Sequence, residues 1–276
     1  MTQTEKAFRF QELHKRTGAF LLPNPWDAGS ARVLAGLGFE ALATSSGAAA
    51  ATFGRRDGKL ARDEALASVR AIAGAVELPV SADMEAGFGD SPDVVAETVR
   101  MVAEAGAVGC SIEDYTGDKE HPLYEVGFAA ERIAASVDAA RSLPFPFVLM
   151  ARAENFVRGK PDLQDAIKRL QAYEKAGADA LSAPGLPDLA AVRAVCAAVA
   201  MPVNFMVGAK GRSFTVADLA DAGVKRISFG ASLYRAAMTG LVTAASEAMQ
   251  SGTFSYVDGT LTTAELNKFL PESSGA

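Results

Sequence analysis

Asp83 and Glu85 stand two residues apart at the end of a short apolar run, V-S-A-D-M-E-A-G-F-G over residues 80–89, and Gly87 and Gly89 follow at once. Further along, Glu113 and Asp114 end G-C-S-I-E-D, and Arg152 and Glu154 end F-V-L-M-A-R-A-E. Ser45, Ser46 and Gly47 close another apolar run, and Asn204 lies within P-V-N-F-M-V. Carboxylates gathered in one mouth repel each other at neutral pH unless a cation lies among them. Oxygen donors with no His or Cys nearby favour a hard ion, magnesium or else manganese, over zinc. Asp83, Glu85 and Glu113 are therefore candidate metal-site acids. Arg152 is a candidate fork for a substrate carboxylate or for developing oxyanion charge. The competing reading gives each acid a helix to cap or a lysine to pair, and gives Arg152 a structural ion pair.

Positioning such residues requires a scaffold, and the chain supplies a regular one. Eight β-rich runs recur, starting at Ala19, Ala41, Pro79, Gly109, Phe147, Ala180, Pro202 and Arg226. They read as continuously apolar, as expected of parallel strands covered on both faces. Amphipathic segments such as P-D-V-V-A-E-T-V-R-M-V-A-E-A separate them. Four helices are expected to end on an Ala-Gly pair, at Gly36, Gly106, Gly177 and Gly223. This alternation predicts an α/β fold, one (β/α)8 TIM-type barrel over residues 1–240, with a C-terminal helical extension over 241–276 that packs against a neighbouring subunit. A doubly wound sheet is the weaker reading, since no G-x-G-x-x-G follows the first run. In a barrel the site lies at the carboxyl ends of the strands, which is where the polar residues above fall.

Totals narrow the function. At 276 residues and 49% hydrophobic content the chain can bury a large core, and a net charge of −6 with no basic run argues against nucleic acid. The N-terminus lacks a signal-peptide core and no run reaches spanning length, so a cytoplasmic location with no membrane contact is expected. Cys110 and Cys196 read as small buried residues of a reducing compartment. No lysine lies within an expected strand, which weakens a Schiff-base mechanism. V-G-A-K-G at Val207 and S-F-G-A-S at Ser228 could mark a phosphate-binding barrel, but Gly208, Gly211 and Gly230 read better as turn glycines.

From P-N-P-W-D-A-G-S-A-R at Pro23 to S-F-G-A-S at Ser228, the chain resembles the isocitrate lyase/phosphoenolpyruvate mutase superfamily. A-D-M-E-A-G-F-G resembles the family's D-x-D-x-G-Y-G, which implies Asp83 as direct metal ligand and Glu85 as an outer one. S-I-E-D resembles I-E-D and implies Glu113, and G-R-R-D-G places Asp57 at a further metal-site acid. S-S-G-A implies that Ser46, Gly47 and Ala48 bind a substrate carboxylate. A-R-A-E matches A-R-T-D and implies Arg152, and Asn204 matches an asparagine of the seventh strand. The resemblance further implies a magnesium-stabilised enolate and a homo-oligomer, dimer or tetramer, commonly a tetramer with an exchanged C-terminal helix.

Departures from the family matter for the reaction. The lyases carry K-[KR]-C-G-H after I-E-D, and here I-E-D-Y-T-G-D-K-E-H-P-L keeps Lys119 but has His121 where the cysteine stands. His121 is a candidate proton donor, since its unperturbed pKa is about 6.5; the plainer reading is an exposed loop histidine. The mutases' asparagine is also missing, Phe88 replaces a tyrosine, and Met206 stands where the lyases have a hydroxyl residue. The expectation is a magnesium-dependent lyase or hydrolase cleaving a C–C bond of a small 2-oxo or 2-hydroxy acid. The alternative is a C–P bond enzyme of the same superfamily. A binder that kept the metal site without turnover is weaker.

Overall fold

The computed structural model describes residues 1–270. Its eight strands, β1 (Phe20–Leu22), β2 (Leu42–Ala43), β3 (Val80–Asp83), β4 (Gly109–Glu113), β5 (Val148–Arg152), β6 (Ala180–Ser182), β7 (Val203–Met206) and β8 (Val224–Ser228), form one parallel sheet in the order β1-β8-β7-β6-β5-β4-β3-β2. Between β2 and β1 the ladder narrows to single contacts. The Ala43 amide donates to the Pro23 carbonyl at 3.0 Å, and Asn24 Nδ2 donates to the Thr44 carbonyl at 2.7 Å. Those bonds bring the sheet to a nearly closed (β/α)8 barrel, as the eight runs predict.

Helices α1 (Gln3–Lys15), α2 (Ala28–Gly36), α3 (Ser46–Thr52), α4 (Arg62–Ala75), α5 (Pro92–Glu104), α6 (Val126–Arg141), α7 (Leu163–Lys175), α8 (Leu189–Ala198) and α9 (Val216–Asp221) precede α10 (Ser232–Ser251) and α11 (Thr263–Asn267). Strand residues one apart face opposite ways. Ala82, Cys110, Ile112, Leu149, Leu181 and Ile227 pack outward against the helices, forming the main core. The floor is closed by α1, whose Ala7, Phe10 and Leu13 pack on Phe20, Leu22, Val108 and Val148. A Thr2–Glu5 capping box starts that helix, a signal the apolar pattern alone does not expose.

Gly106, Gly177 and Gly223 adopt φ of 94°, 95° and 97° and end their helices as expected. Gly36 does not: it is the last residue of α2, and Gly38, at φ 90°, makes the left-handed turn. Gly36 has a different constraint, because a Cβ there would come 2.6 Å from the Phe269 ring. β8 begins at Val224, so Lys225 does lie in a strand, with its Nζ on the Gly18 carbonyl at the floor, 2.9 Å away. Past the barrel, α10 runs unbroken through Gly240, and none of its residues is buried. Residues 271–276 of the expected extension lie outside the described residues.

Candidate active site

The inward alternation of three adjacent strands ends on charge. Asp83, Glu113 and Arg152 are the last residues of β3, β4 and β5, and Glu113 pairs in register with Arg152. Arg152 is the hub. Its Nη1 meets Asp83 Oδ1 at 3.0 Å, its Nη2 meets Glu113 Oε2 at 3.0 Å, and its Nη2 and Nε donate to Glu154 Oε1 at 2.8 and 3.0 Å. A second guanidinium, Arg158, lies over the Tyr115 ring at 3.7 Å and donates from Nη2 to Glu113 Oε1 at 2.9 Å. From the other side, the Ser46 amide and hydroxyl donate to Asp83 Oδ2 at 3.0 and 2.9 Å. Ser46 Oγ also lies 3.3 Å from Asp57 Oδ1. A Cβ at Gly47 would press on the Asp57 carboxyl at 3.1–3.3 Å, so glycine is what lets Asp57 lie there.

Glu85 enters by a backbone device. Its φ is 49°, and Phe88 has φ 62°, both in the left-handed region that non-glycine residues seldom adopt. The turn is held by the Gly87 amide on the Met84 carbonyl at 2.8 Å and by the Glu113 amide on the Glu85 carbonyl at 2.9 Å. Glu85 then faces a cavity of about 310 Å³ that Ser46, Asp57, Glu113, Lys119, Arg152 and Arg158 also line.

Burial and like charge displace these acids. Desolvation, then Asp83 and Asp57, raise Glu85 to about 7. Desolvation and the neighbouring Glu154 carboxylate raise Glu113. Burial alone would lower Arg152, but Glu154, Glu113 and Asp83 hold it well above the ordinary arginine value. Such a site gains from a further cation.

A divalent ion can be tested against these donors. Among the described residues no three His, Cys, Asp or Glu side chains converge as a ligand cage. Magnesium seldom needs one, because it keeps several waters and takes one or two carboxylates. Asp83 is the central carboxylate, and Glu85 Oε1 is buried with no hydrogen-bond partner. The donor set fits a hydrated magnesium on Asp83, with Glu85, Asp57 and Glu113 around it.

Other expected residues sort by position. The Ala48 amide donates to Ser45 Oγ at 3.3 Å and Ala48 is buried. Asn204 lies deeper in the barrel, its Nδ2 on Ser182 Oγ and Ser228 Oγ at 3.2 and 3.0 Å. The 115–124 loop divides its residues: Lys119 lines the site cavity, whereas His121 borders a separate depression with its side chain 85% exposed. Asp114 turns away from the site, accepting from the Glu154 amide at 2.9 Å, Arg169 at 3.1 Å and Tyr173 Oη at 2.6 Å. Arg158 and Tyr115 were not singled out in the sequence, and Glu154 had no role there. The guanidinium-on-ring pair joins two loops far apart in sequence, so only A-R-A-E carried a signal.

The comparisons with known proteins agree with this fold. A family model described as phosphoenolpyruvate phosphomutase matches residues 10–249. The chain is 34% identical over 210 residues to 2-methylisocitrate lyase of Escherichia coli, covering 72% of this chain and 69% of that protein. It is 49% identical, with TM-score 0.96, to a solved candidate lyase/mutase of Burkholderia cenocepacia J2315, covering 98% and 97% of the two chains. A phosphonopyruvate hydrolase solved with oxalate and Mg++ is 26% identical with TM-score 0.84, covering 98% and 95%.

Proposed function

The chain belongs to the phosphoenolpyruvate phosphomutase family, and from that premise we propose that it is a magnesium-dependent enzyme cleaving a C–C bond of a small 2-oxo or 2-hydroxy carboxylic acid. The observation that carries the reading is Arg152 at the meeting point of Asp83, Glu113 and Glu154, beside an open cavity. By their names, 2-methylisocitrate lyase of E. coli acts on a hydroxy acid and the phosphonopyruvate hydrolase on a 2-oxo acid.

Asp83 holds the metal directly in this reading, and Glu85, Glu113 and Asp57 stand around it. When bound, magnesium supplies Lewis-acid polarisation of the substrate's carboxylate and keto oxygens. Ser46 and Gly47 anchor the substrate carboxylate through hydroxyl and amides, and Ala48 joins them only if its amide leaves Ser45 Oγ. In the structure the Ser46 donors both serve Asp83; with Asp83 holding a cation they would be free to turn to that anion. Arg152, already fixed by Glu154, stabilises negative charge at the oxygen that becomes the enolate as the bond to the adjacent carbon breaks. Asn204 serves the substrate from the seventh strand. Proton delivery falls to the 115–124 loop. Lys119 has the cavity position, and His121 reaches the site only by an inward turn of the loop.

C–P cleavage is the second reading, and the family premise itself favours it. Against it stands the loop, which carries Lys119 and lacks the mutases' asparagine. Product analysis separates the two: a carbon-only acid split into two carbonyl or carboxyl fragments supports the lyase, and turnover confined to phosphonopyruvate supports the alternative. The reading includes a homo-oligomer, supported by the uncovered α10, where Val242 is 63% and Met249 86% exposed. Light scattering in solution tests it, with a monomer as the contrary result.

A further inference from the structure

Parallel barrels ordinarily fill their interior with layers of bulky branched side chains. Below Asp83 and Arg152 this barrel is polar instead. Ser81, Ser111, Ser182, Asn204, Arg226 and Ser228 are all buried there. Arg226 is the anomaly among them. It is 2% exposed, and its Nε and Nη1 have no hydrogen-bond acceptor among the described residues. No carboxylate there lies within ion-pair distance of it, and its nearest recorded aromatic contact is the Phe10 ring, 5.8 Å from the guanidinium. Burial, then the charge of Arg152, lowers its pKa to about 9, which leaves it cationic at neutral pH. A buried cation of this kind is costly unless something neutralises it.

Arg226 borders a chamber of about 30 Å³ with Thr44, Ser81, Ser111 and Ser228, roofed by Asp83 and Arg152. The lining is rich in donors. Thr44 Oγ1 accepts from the Asp83 amide at 2.9 Å, and Ser228 Oγ accepts from Asn204 Nδ2 at 3.0 Å, so each hydroxyl keeps its own proton to give. Ser81 Oγ has no hydrogen-bond partner among the described residues. Asn24 is saturated, with Nδ2 on the Thr44 carbonyl and Oδ1 taking the Phe229 and Gly230 amides. Among the described residues the unspent neutral acceptors nearby are Ser81 Oγ in the lining and Asn204 Oδ1, on the strand paired with Arg226. A chamber of this size admits a single small species. Water could donate to the hydroxyls or to Asp83, but it would leave the charge of the guanidinium uncompensated. A monatomic anion neutralises the guanidinium, and the one carboxylate of the lining, Asp83, is already paired with Arg152 at 3.0 Å.

We propose that this chamber is an anion site in which Arg226, with the hydroxyls of Ser81 and Ser228, holds one ion of halide size beneath the reaction centre. The site stands apart from the reading of which bond the enzyme breaks. Its effect is to let a polar, cationic floor exist under the carboxylates without an acid to pair it.

Bromide is the probe. Crystals grown in bromide and measured at its absorption edge should show an anomalous peak between Arg226 and Ser81. In solution, melting temperature at fixed ionic strength should rise saturably when bromide or chloride replaces gluconate, by a few degrees. Arg226→Met should abolish both signals. Ser81→Val, which fills the chamber and leaves the charge, should abolish the peak and carries the test if Arg226→Met does not fold. The proposal is overturned by bromide at surface positions as an adventitious ion only, by a water bridging Arg226 to Asn204, or by an equal halide response in Arg226→Met.

Discussion

Replacing Arg152 with Met keeps most of the side chain's bulk and removes the charge shared by three carboxylates, two at the ends of β3 and β4 and one just past β5. The guanidinium is only 14% exposed and makes close contacts to Asp83, Glu113 and Glu154 at 2.8–3.0 Å. Removing one partner of a buried ion pair costs about 3–5 kcal/mol. At about 2–4 °C per kcal/mol for a domain approaching this size, the melting temperature should fall by about 6–20 °C. The loss should depend on pH. At pH 5 Glu85 and Glu113, whose pKa values are raised, are largely neutral, so the deficit is smaller. At pH 8.5 Glu85 and Glu113 carry charge as well and the deficit is largest. Magnesium replaces part of the missing positive charge, so it should raise the melting temperature of Arg152→Met more than that of the wild type. Scanning calorimetry at both pH values, with and without magnesium, reads these effects. A variant that melts within about 2 °C of wild type at pH 8.5 would refute the shared-cation description of the site.

Glu85 sets a second pH dependence. Its pKa is raised from 4.5 to about 7, so its stabilising contribution is complete below about 4.5 and is lost as pH rises through about 7. Metal-free protein should therefore lose stability from pH 5 to 8, Glu85→Gln should flatten that slope, and magnesium affinity by calorimetry should climb over the same window. Lys119→Ala should lower kcat/KM at least tenfold, about 1.4 kcal/mol, while His121→Ala stays within about threefold; the reverse order in steady-state assays would give the proton to His121. Asp114→Asn should cost about 2–3 kcal/mol of stability, because the buried carboxylate serves Arg169, Tyr173 and the Glu154 amide. Denaturant melts of the apo protein check it, and a neutral result would place Asp114 outside the structural framework.

The barrel was legible because eight short apolar runs and the helices between them repeat one local pattern, and the acids fall where such runs end. The same apolar reading hid the interior. V-S-A-D looks like a continuous run, yet alternation turns Val80 and Ala82 to the helices and Ser81 and Asp83 inward. Arg226 went unremarked at the start of R-I-S-F-G for that reason. Gly36 and Gly38 show another limit: both precede the second strand, and only the left-handed φ of Gly38 and the approach of Phe269 to Gly36 tell their duties apart. Arg158 could not be weighted at all from R-G-K-P, since its partners Tyr115 and Glu113 are brought to it by the fold. His121 and Lys119, two residues apart in one loop, face different cavities, a distinction that spacing without a known loop path does not contain.

The most direct test is turnover of oxaloacetate, 2-methylisocitrate, isocitrate, phosphonopyruvate and related oxo acids, with magnesium and with chelator, by wild type and Asp83→Ala. The expected result is C–C cleavage of at least one carbon-only acid that needs magnesium and disappears in Asp83→Ala while the variant still folds. Cleavage that persists in chelator, or that Asp83→Ala retains, would contradict the account.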